Sequence, residues 1–340
     1  MLLSLILLIA SLLAILAAAE GFTNAVESLG KRLKLTQAVV GSVLSAVGTA
    51  LPETILPLVA ILMDSKEVSD QIGVGAILGA PFMLSTLTTC LVGITVLITF
   101  LLKRRPFSIN LEYRSIRRDL TFFVLLYGSA VFLPAMLGSS IKIPLAILLI
   151  LGYGFYIRLT ARAESAGVEH DGNLHVNNLL VKLNIVKGHD NLMWPVMVQG
   201  VSTLAIMVGS AQIFVNSIAV VCAHFGFNPM LFALIIAPIA TELPEKFNSI
   251  TWTLKNKDTL AMCNITGAMV FQATFPVSVG LLLTDWQITG LPMLSAIIAL
   301  TSALIMLAEL NIRKKLSPFT AFFVGLLYVS YIVIVIHVRG

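Results

Sequence analysis

The chain has 340 residues, of which 58% are hydrophobic and only 11% charged, with a mean hydropathy of +0.96. Apolar runs of about 20 residues recur along it, which excludes an ordinary soluble domain and predicts an all-α integral membrane protein. The net charge of +5 lies in short loops between those runs, so it marks membrane topology rather than a nucleic-acid surface.

Ten apolar segments are predicted, at 2–29, 35–63, 70–102, 119–137, 142–161, 192–222, 228–254, 258–284, 288–310 and 316–338. The first is expected to be a span rather than a cleaved signal. No basic stretch precedes it, although Ala17-Ala18-Ala19 resembles a cleavage site. The third is too long for one straight crossing and holds Gly73, Gly75, Gly79 and Pro81. A helix broken at those residues is predicted, which is tolerable only where the irregular backbone faces protein or a cavity. The longest polar stretch, Arg162 to Asn191, is expected to be a solvated cytoplasmic linker. It divides the chain into a first unit at 1–161, the linker at 162–191 and a second unit at 192–340.

Eighteen of the 22 Lys and Arg residues fall in alternate loops, those after segments one, three, five, seven and nine, while Lys66, Lys142 and Arg339 lie on the opposite side. By the positive-inside rule both termini are expected outside the cytoplasm, in a multi-pass protein of the cell (inner) membrane. Lys246 alone is left inside a segment. Cys90, Cys222 and Cys263 are an odd number at unrelated spacings and suggest neither a disulfide framework nor a zinc site. No G-x-S-x-G, H-E-x-x-H or phosphate-binding glycine loop occurs, so neither catalysis nor a cofactor is expected.

One six-residue stretch occurs twice. Gly48-Thr49-Ala50-Leu51-Pro52-Glu53 recurs as Ala240-Thr241-Glu242-Leu243-Pro244-Glu245. Each copy sets a carboxylate and a proline inside an apolar segment. An ionised acid at that depth is expensive and by default marks a functional cation site. Each proline removes a backbone donor and frees the carbonyl four residues back, at Gly48 and Ala240. Carboxylates, freed carbonyls and threonine hydroxyls are ligands for hard cations.

The two copies belong to a longer repeat. Adding 192 to each position from Glu20 to Glu53 aligns the halves without a gap, and after a four-residue change Gly79-Ala80 pairs with Gly267-Ala268. Five spans per half is an odd number, so the second half is predicted to be upside down relative to the first. Ten transmembrane helices as two inverted five-helix repeats, with broken helices around a mid-membrane cation site, is a secondary-transporter architecture.

Glu53 and Glu245 are the leading site candidates. Thr49 and Thr241 stand four residues before them on the same helix face, although such threonines also bond back to their own helix. Glu242 has Ala50 as its repeat mate and stands four residues before Lys246. It is either an internal ion-pair partner, leaving two net negative charges at the site, or a third carboxylate. Gln272, whose mate is Leu84, is either a ligand or a helix–helix hydrogen-bond partner, and Asn264 is similar.

On these motifs the chain resembles the calcium/cation antiporter superfamily, which includes the sodium/calcium and proton/calcium exchangers. The family's G-x-[ST]-x-P-E-like helix is visible in both hexapeptides. Its second motif, G-S-N-x-x-[DN]-like, keeps only the glycine in Gly79-Ala80-Pro81-Phe82-Met83-Leu84, and the glycine plus an amide in Gly267-Ala268-Met269-Val270-Phe271-Gln272. The resemblance implies that Glu53 and Glu245 are the central ion-binding acids, with oxygens lent by Thr49 and Thr241.

The expected function is therefore secondary active antiport by alternating access, exchanging a divalent cation, calcium first, for Na+ or H+. The expected partners are the lipid bilayer and inorganic cations, with no nucleic acid; the oligomeric state is left open. The alternatives are a cation channel or facilitator, or a non-transporting homologue with a structural or sensing role.

Overall fold

The computed structural model describes residues 2–32, 51–62, 66–163 and 193–339. Gly48 and Thr49 of the first hexapeptide and most of the central polar linker lie outside the described residues. Among the described residues the protein is helical throughout, apart from one isolated β-bridge between Ile109 and Leu316.

In the first half, α1 is Leu2–Arg32, α2 is Leu51–Leu62, α3 is Lys66–Met83, α4 is Thr89–Leu101, α5 is Tyr113–Leu137 and α6 is Lys142–Ala163. In the second half, α7 is Met193–Phe225, α8 is Pro229–Thr241, α9 is Leu243–Leu254, α10 is Asp258–Gln272, α11 is Phe275–Leu283, α12 is Gly290–Arg313 and α13 is Pro318–Arg339. Eight helical stretches among the described residues are long and apolar enough to cross a membrane, and α2 and most of α8 are shorter apolar helices.

The helix ends follow local chemistry. Glu112 caps α5 by accepting from the Arg114 and Ser115 amides at 3.3 and 3.2 Å, as N-cap acids do. Lys314, in the left-handed region at φ 55°, ends α12, and Pro318 opens α13. The outer faces are apolar. Phe319, Phe323, Leu326 and Val333 are exposed along one stripe of α13, which suits lipid as the solvent.

The interior has two main parts. The larger core gathers Phe82, Met83, Phe123, Tyr127, Met269 and Tyr331 from the bundle of α3 to α6 and α10 to α13. A second core gathers Ile15, Leu56, Ile72, Phe214 and Ala233 from α1, α2, α3, α7 and α8. The long helices α1 and α7 pack chiefly against each other and meet the bundle mainly through α2 and α8. Gln199 ties that outer pair together, donating to the Gly21 carbonyl at 2.7 Å and to Asn24 at 2.9 Å.

The break expected at Gly73 to Pro81 falls further along the chain. Helix α3 runs intact through all four residues, and the irregularity is a π-helical turn at Leu84–Thr88. The glycines serve packing instead. A Cβ on Gly75 would collide with the Met230 carbonyl oxygen, and one on Gly79 with that of Leu234. Helices α3 and α8 thus touch backbone to backbone. The π turn follows Pro81, which has no N–H to give the ladder, and hydroxyls replace the lost order. Ser85 and Thr86 both donate to the Phe82 carbonyl, and Thr89 to that of Leu84.

The second half breaks at the equivalent place. Helix α10 stops at Gln272 and α11 starts at Phe275, after Thr274 turns with φ −118° and ψ −69°. Thr274, the mate of Thr86, donates to the carbonyl of Val270, the mate of Phe82, at 3.0 Å. The segment predicted at 228–254 is also divided, at Glu242 between α8 and α9.

A candidate cation site at the broken helices

The second hexapeptide spans a helix boundary. Helix α8 ends at Thr241, Glu242 leaves it with φ −89° and ψ 10°, and α9 starts with Leu243 and Pro244. Proline suits a first turn, where its missing N–H has no helical partner to lose. It likewise cannot donate to the Ala240 carbonyl. Glu245 sits in that first turn, where the partial positive charge of the helix end favours a carboxylate by about 0.3–1 kcal/mol.

The acids are withdrawn from the surface and brought into one electrostatic neighbourhood. Glu53 is 5% exposed, Glu245 4% and Glu242 0%. The charges of Glu245, Glu242 and Lys246 all act on Glu53. Both carboxylate oxygens of Glu53 and Oε2 of Glu245 are buried without a hydrogen bond from another described residue. An uncompensated buried carboxylate is costly, so each of these acids calls for a proton or a cation beside it.

Lys246 fills part of that need. Its Nζ stands 3.5 Å from Glu242 Oε2 and donates to the Pro238 carbonyl and to Met83 Sδ, both at 2.9 Å. Glu242 thus has Lys246 as an ion-pair partner, while neither of its carboxylate oxygens has a hydrogen bond from another described residue. Thr241 is buried, and its hydroxyl donates to the Ala237 carbonyl at 3.2 Å. Gln272 is buried at the break after α10, with Oε1 unpartnered among the described residues. Asn264 instead ties α10 to α9, donating to the Glu245 carbonyl at 3.2 Å and to Ser249 at 3.3 Å. Among the described residues, no three His, Cys, Asp or Glu side chains converge closely enough to hold a metal ion by themselves. A cation seated between Glu53 and Glu245 would need neutral oxygens as well, of the kind that Gln272 and Thr241 carry.

Two buried clusters escaped the sequence reading. Asp119 on α5 accepts from Tyr156 of α6 at 3.1 Å and from Thr266 of α10 at 2.7 Å, with Arg118 beside it at 3.2 Å. Arg105, in the loop before α5, pairs with Asp258 at the start of α10 and donates to the Thr253 carbonyl at 3.1 Å. Both brace α10, the helix that carries Gln272. Their members come from segments far apart in sequence, and none belongs to a motif. The only available signal was an acid near the end of an apolar run.

Helices interrupted inside an all-helical, multi-pass bundle, with buried acids whose oxygens no other described residue satisfies, are features of a membrane transporter for cations. The family described as sodium/calcium exchanger protein matches residues 3–161 and 196–337, and the chain belongs to that family. It is 25% identical over 304 residues to the inner membrane protein YrbG of Escherichia coli (strain K12), covering 86% of this chain and 83% of YrbG. Its fold is similar to that of the H+/Ca2+ exchanger CAX, with a TM-score of 0.74 at 19% identity, over 97% of this chain and 82% of CAX. It is also similar to that of the sodium-calcium exchanger NCX_Mj, with a TM-score of 0.57 at 15% identity, over 98% of each chain.

Proposed function

We propose that the protein is a secondary active antiporter that exchanges a divalent cation, calcium first, for Na+ or H+ by alternating access. The observation that carries this reading is the pair Glu53 and Glu245. They come from the two copies of one hexapeptide, are buried in one electrostatic neighbourhood, and keep carboxylate oxygens that no other described residue satisfies.

Two ionised acids can neutralise either one dication or two monovalent cations. The loaded states then carry no net charge through the bilayer, whereas the empty site is expensive to move. That difference favours exchange over leak. Thr241, Gln272, the Ala240 carbonyl, and Thr49 and the Gly48 carbonyl from the first hexapeptide supply the neutral oxygens.

The inverted-repeat reading, five spans per half, draws support from the packing. Helix α4 packs on α13 as α6 packs on α11, and α3 meets α12 as α10 meets α5. The outer pair α1 and α7, whose described residues pack chiefly against each other, is suited to slide as the moving element. Units at 1–161 and 192–340, joined by a cytoplasmic linker at 162–191, follow from the same reading. A place in the inner membrane and external termini follow instead from the charges of the alternate loops.

The test is divalent uptake by the purified protein in liposomes, under an imposed sodium gradient and then an imposed pH gradient. Antiport predicts uptake driven by an outward gradient of one of the two monovalent ions. Uptake indifferent to both gradients, as a channel would give, or no uptake at all, would overturn it.

A further inference from the structure

We infer that Lys246 is a tethered monovalent cation, built into the site so that each dication exchanges for two monovalent ions with no net charge moved. The inference rests on the antiport reading above and specifies its charge stoichiometry.

Three observations lead there. First, the charges are arranged to balance. Glu53, Glu242 and Glu245 are all buried, and Lys246 acts electrostatically on both Glu53 and Glu245 while pairing with Glu242. Three carboxylates with one ammonium leave two net negative charges, matched by one dication or by two monovalent ions. Three carboxylates alone would call for a third monovalent ion or leave a charge uncompensated in the membrane.

Second, the pair enters the sequence as a unit. Glu242 and Lys246 occupy positions whose repeat mates are Ala50 and Thr54. In the first half neither position is charged, and in the second both are. The extra acid therefore comes with its own counter-charge and leaves the net charge of the site unchanged.

Third, the ammonium is anchored rather than mobile. Lys246 is 7% exposed, and its Nζ is held by the Pro238 carbonyl, Met83 Sδ and Glu242 Oε2. A carbonyl, a carboxylate and a thioether suit an ammonium group. Na+ and Ca2+ take hard oxygen ligands, and a thioether is a poor one for either. Met83 is also the last residue of α3, so the tethered charge joins the π turn of one half to the α8–α9 junction of the other.

The experiment measures the divalent gradient reached by the wild-type protein in liposomes whose membrane potential is clamped with a potassium ionophore. Lys246 as a fixed counter-charge predicts the same final gradient at zero potential and at either polarity. One net charge per cycle would displace that gradient by about 50-fold at roughly 100 mV, and that result would overturn the inference while leaving antiport intact. Absence of exchange under any monovalent gradient would overturn the antiport reading itself.

Variants sharpen the test. Lys246→Gln and Glu242→Gln are each expected to slow exchange at least tenfold, and any residual exchange in Lys246→Gln is expected to depend on potential. The double variant, which restores two net negative charges, is expected to exchange faster than either single variant and without that dependence. Wild-type rates and potential independence in Lys246→Gln would also overturn the inference, because a purely structural ion pair has no effect on charge movement.

Discussion

The two helix breaks occupy equivalent places but are built differently. In the first half the chain passes from α3 to α4 through a π turn, Leu84–Thr88, with no loss of helical continuity. In the second half α10 and α11 are separated, and Gln272 stands at the break with an Oε1 that no other described residue satisfies, where the first half has Leu84, fully buried in the apolar core. The hexapeptides differ in the same sense, since the second adds Glu242, with Lys246 immediately after it. Among the described residues the first half thus contributes one acid, Glu53, and the second contributes Glu242, Glu245, Lys246 and Gln272. A duplicated sequence motif can keep its acid in both copies while adding further charges in only one.

That comparison is most strongly challenged at the acid both halves share. Glu53→Gln and Glu245→Gln are each expected to lower divalent exchange by more than about 100-fold in liposomes. Each removes a buried charge that other described residues leave without a hydrogen bond, so thermal stability in the absence of divalent ions should not fall. Full activity in either variant would remove the proposed site.

The frame of the first half is tested next. Gly75→Ala places a methyl group against the Met230 carbonyl and should destabilise the protein by about 1–3 kcal/mol, as overpacking does. A thermal melt in detergent measures this. An unchanged melt would show that α3 and α8 separate without cost.

A smaller effect sharpens the contrast between the breaks. Gln272→Leu copies the first-half residue into the second half and should weaken divalent affinity by roughly tenfold, about 1.4 kcal/mol, the scale of one lost hydrogen-bond-like contact to a charge. Leu84→Gln should leave affinity unchanged. Equal effects at both positions would contradict the asymmetry.

The smallest effect lies outside the membrane. The Ser115 hydroxyl and amide hold the Glu112 carboxyl below the usual range. A depressed carboxyl stabilises the folded state above its unfolded pKa, and that contribution is lost as pH falls through the folded value. Glu112→Ala should therefore cost only about 0.5 kcal/mol at neutral pH, the low end for a cap that water screens, and nearly nothing in acid. A deficit that persists in acid would argue against the cap.

Much of this was legible in the sequence. Apolar runs located the helices, and the duplicated hexapeptide located the acids, because a carboxylate inside such a run has few explanations. The glycines of α3 misled. Gly75 and Gly79 predict either a break or a close approach, and only the partner helix α8 decides between them. The π turn was hidden because Pro81, Ser85, Thr86 and Thr89 combine to make it, each unremarkable alone. The pairing of Glu242 with Lys246 was foreseeable from their spacing, but the contribution of Met83 was not, since it comes from 163 residues away. The Asp119 cluster joins α5, α6 and α10, and no local pattern links those segments.

The central claim is that Glu53 and Glu245 share one divalent ion. The most direct measurement is an anomalous-difference map of crystals grown with Mn2+, a divalent ion with a distinct scattering signature. The account predicts a peak within ligand distance of both carboxylates. A peak on only one of them, or only on the outer surface of the bundle, would contradict it.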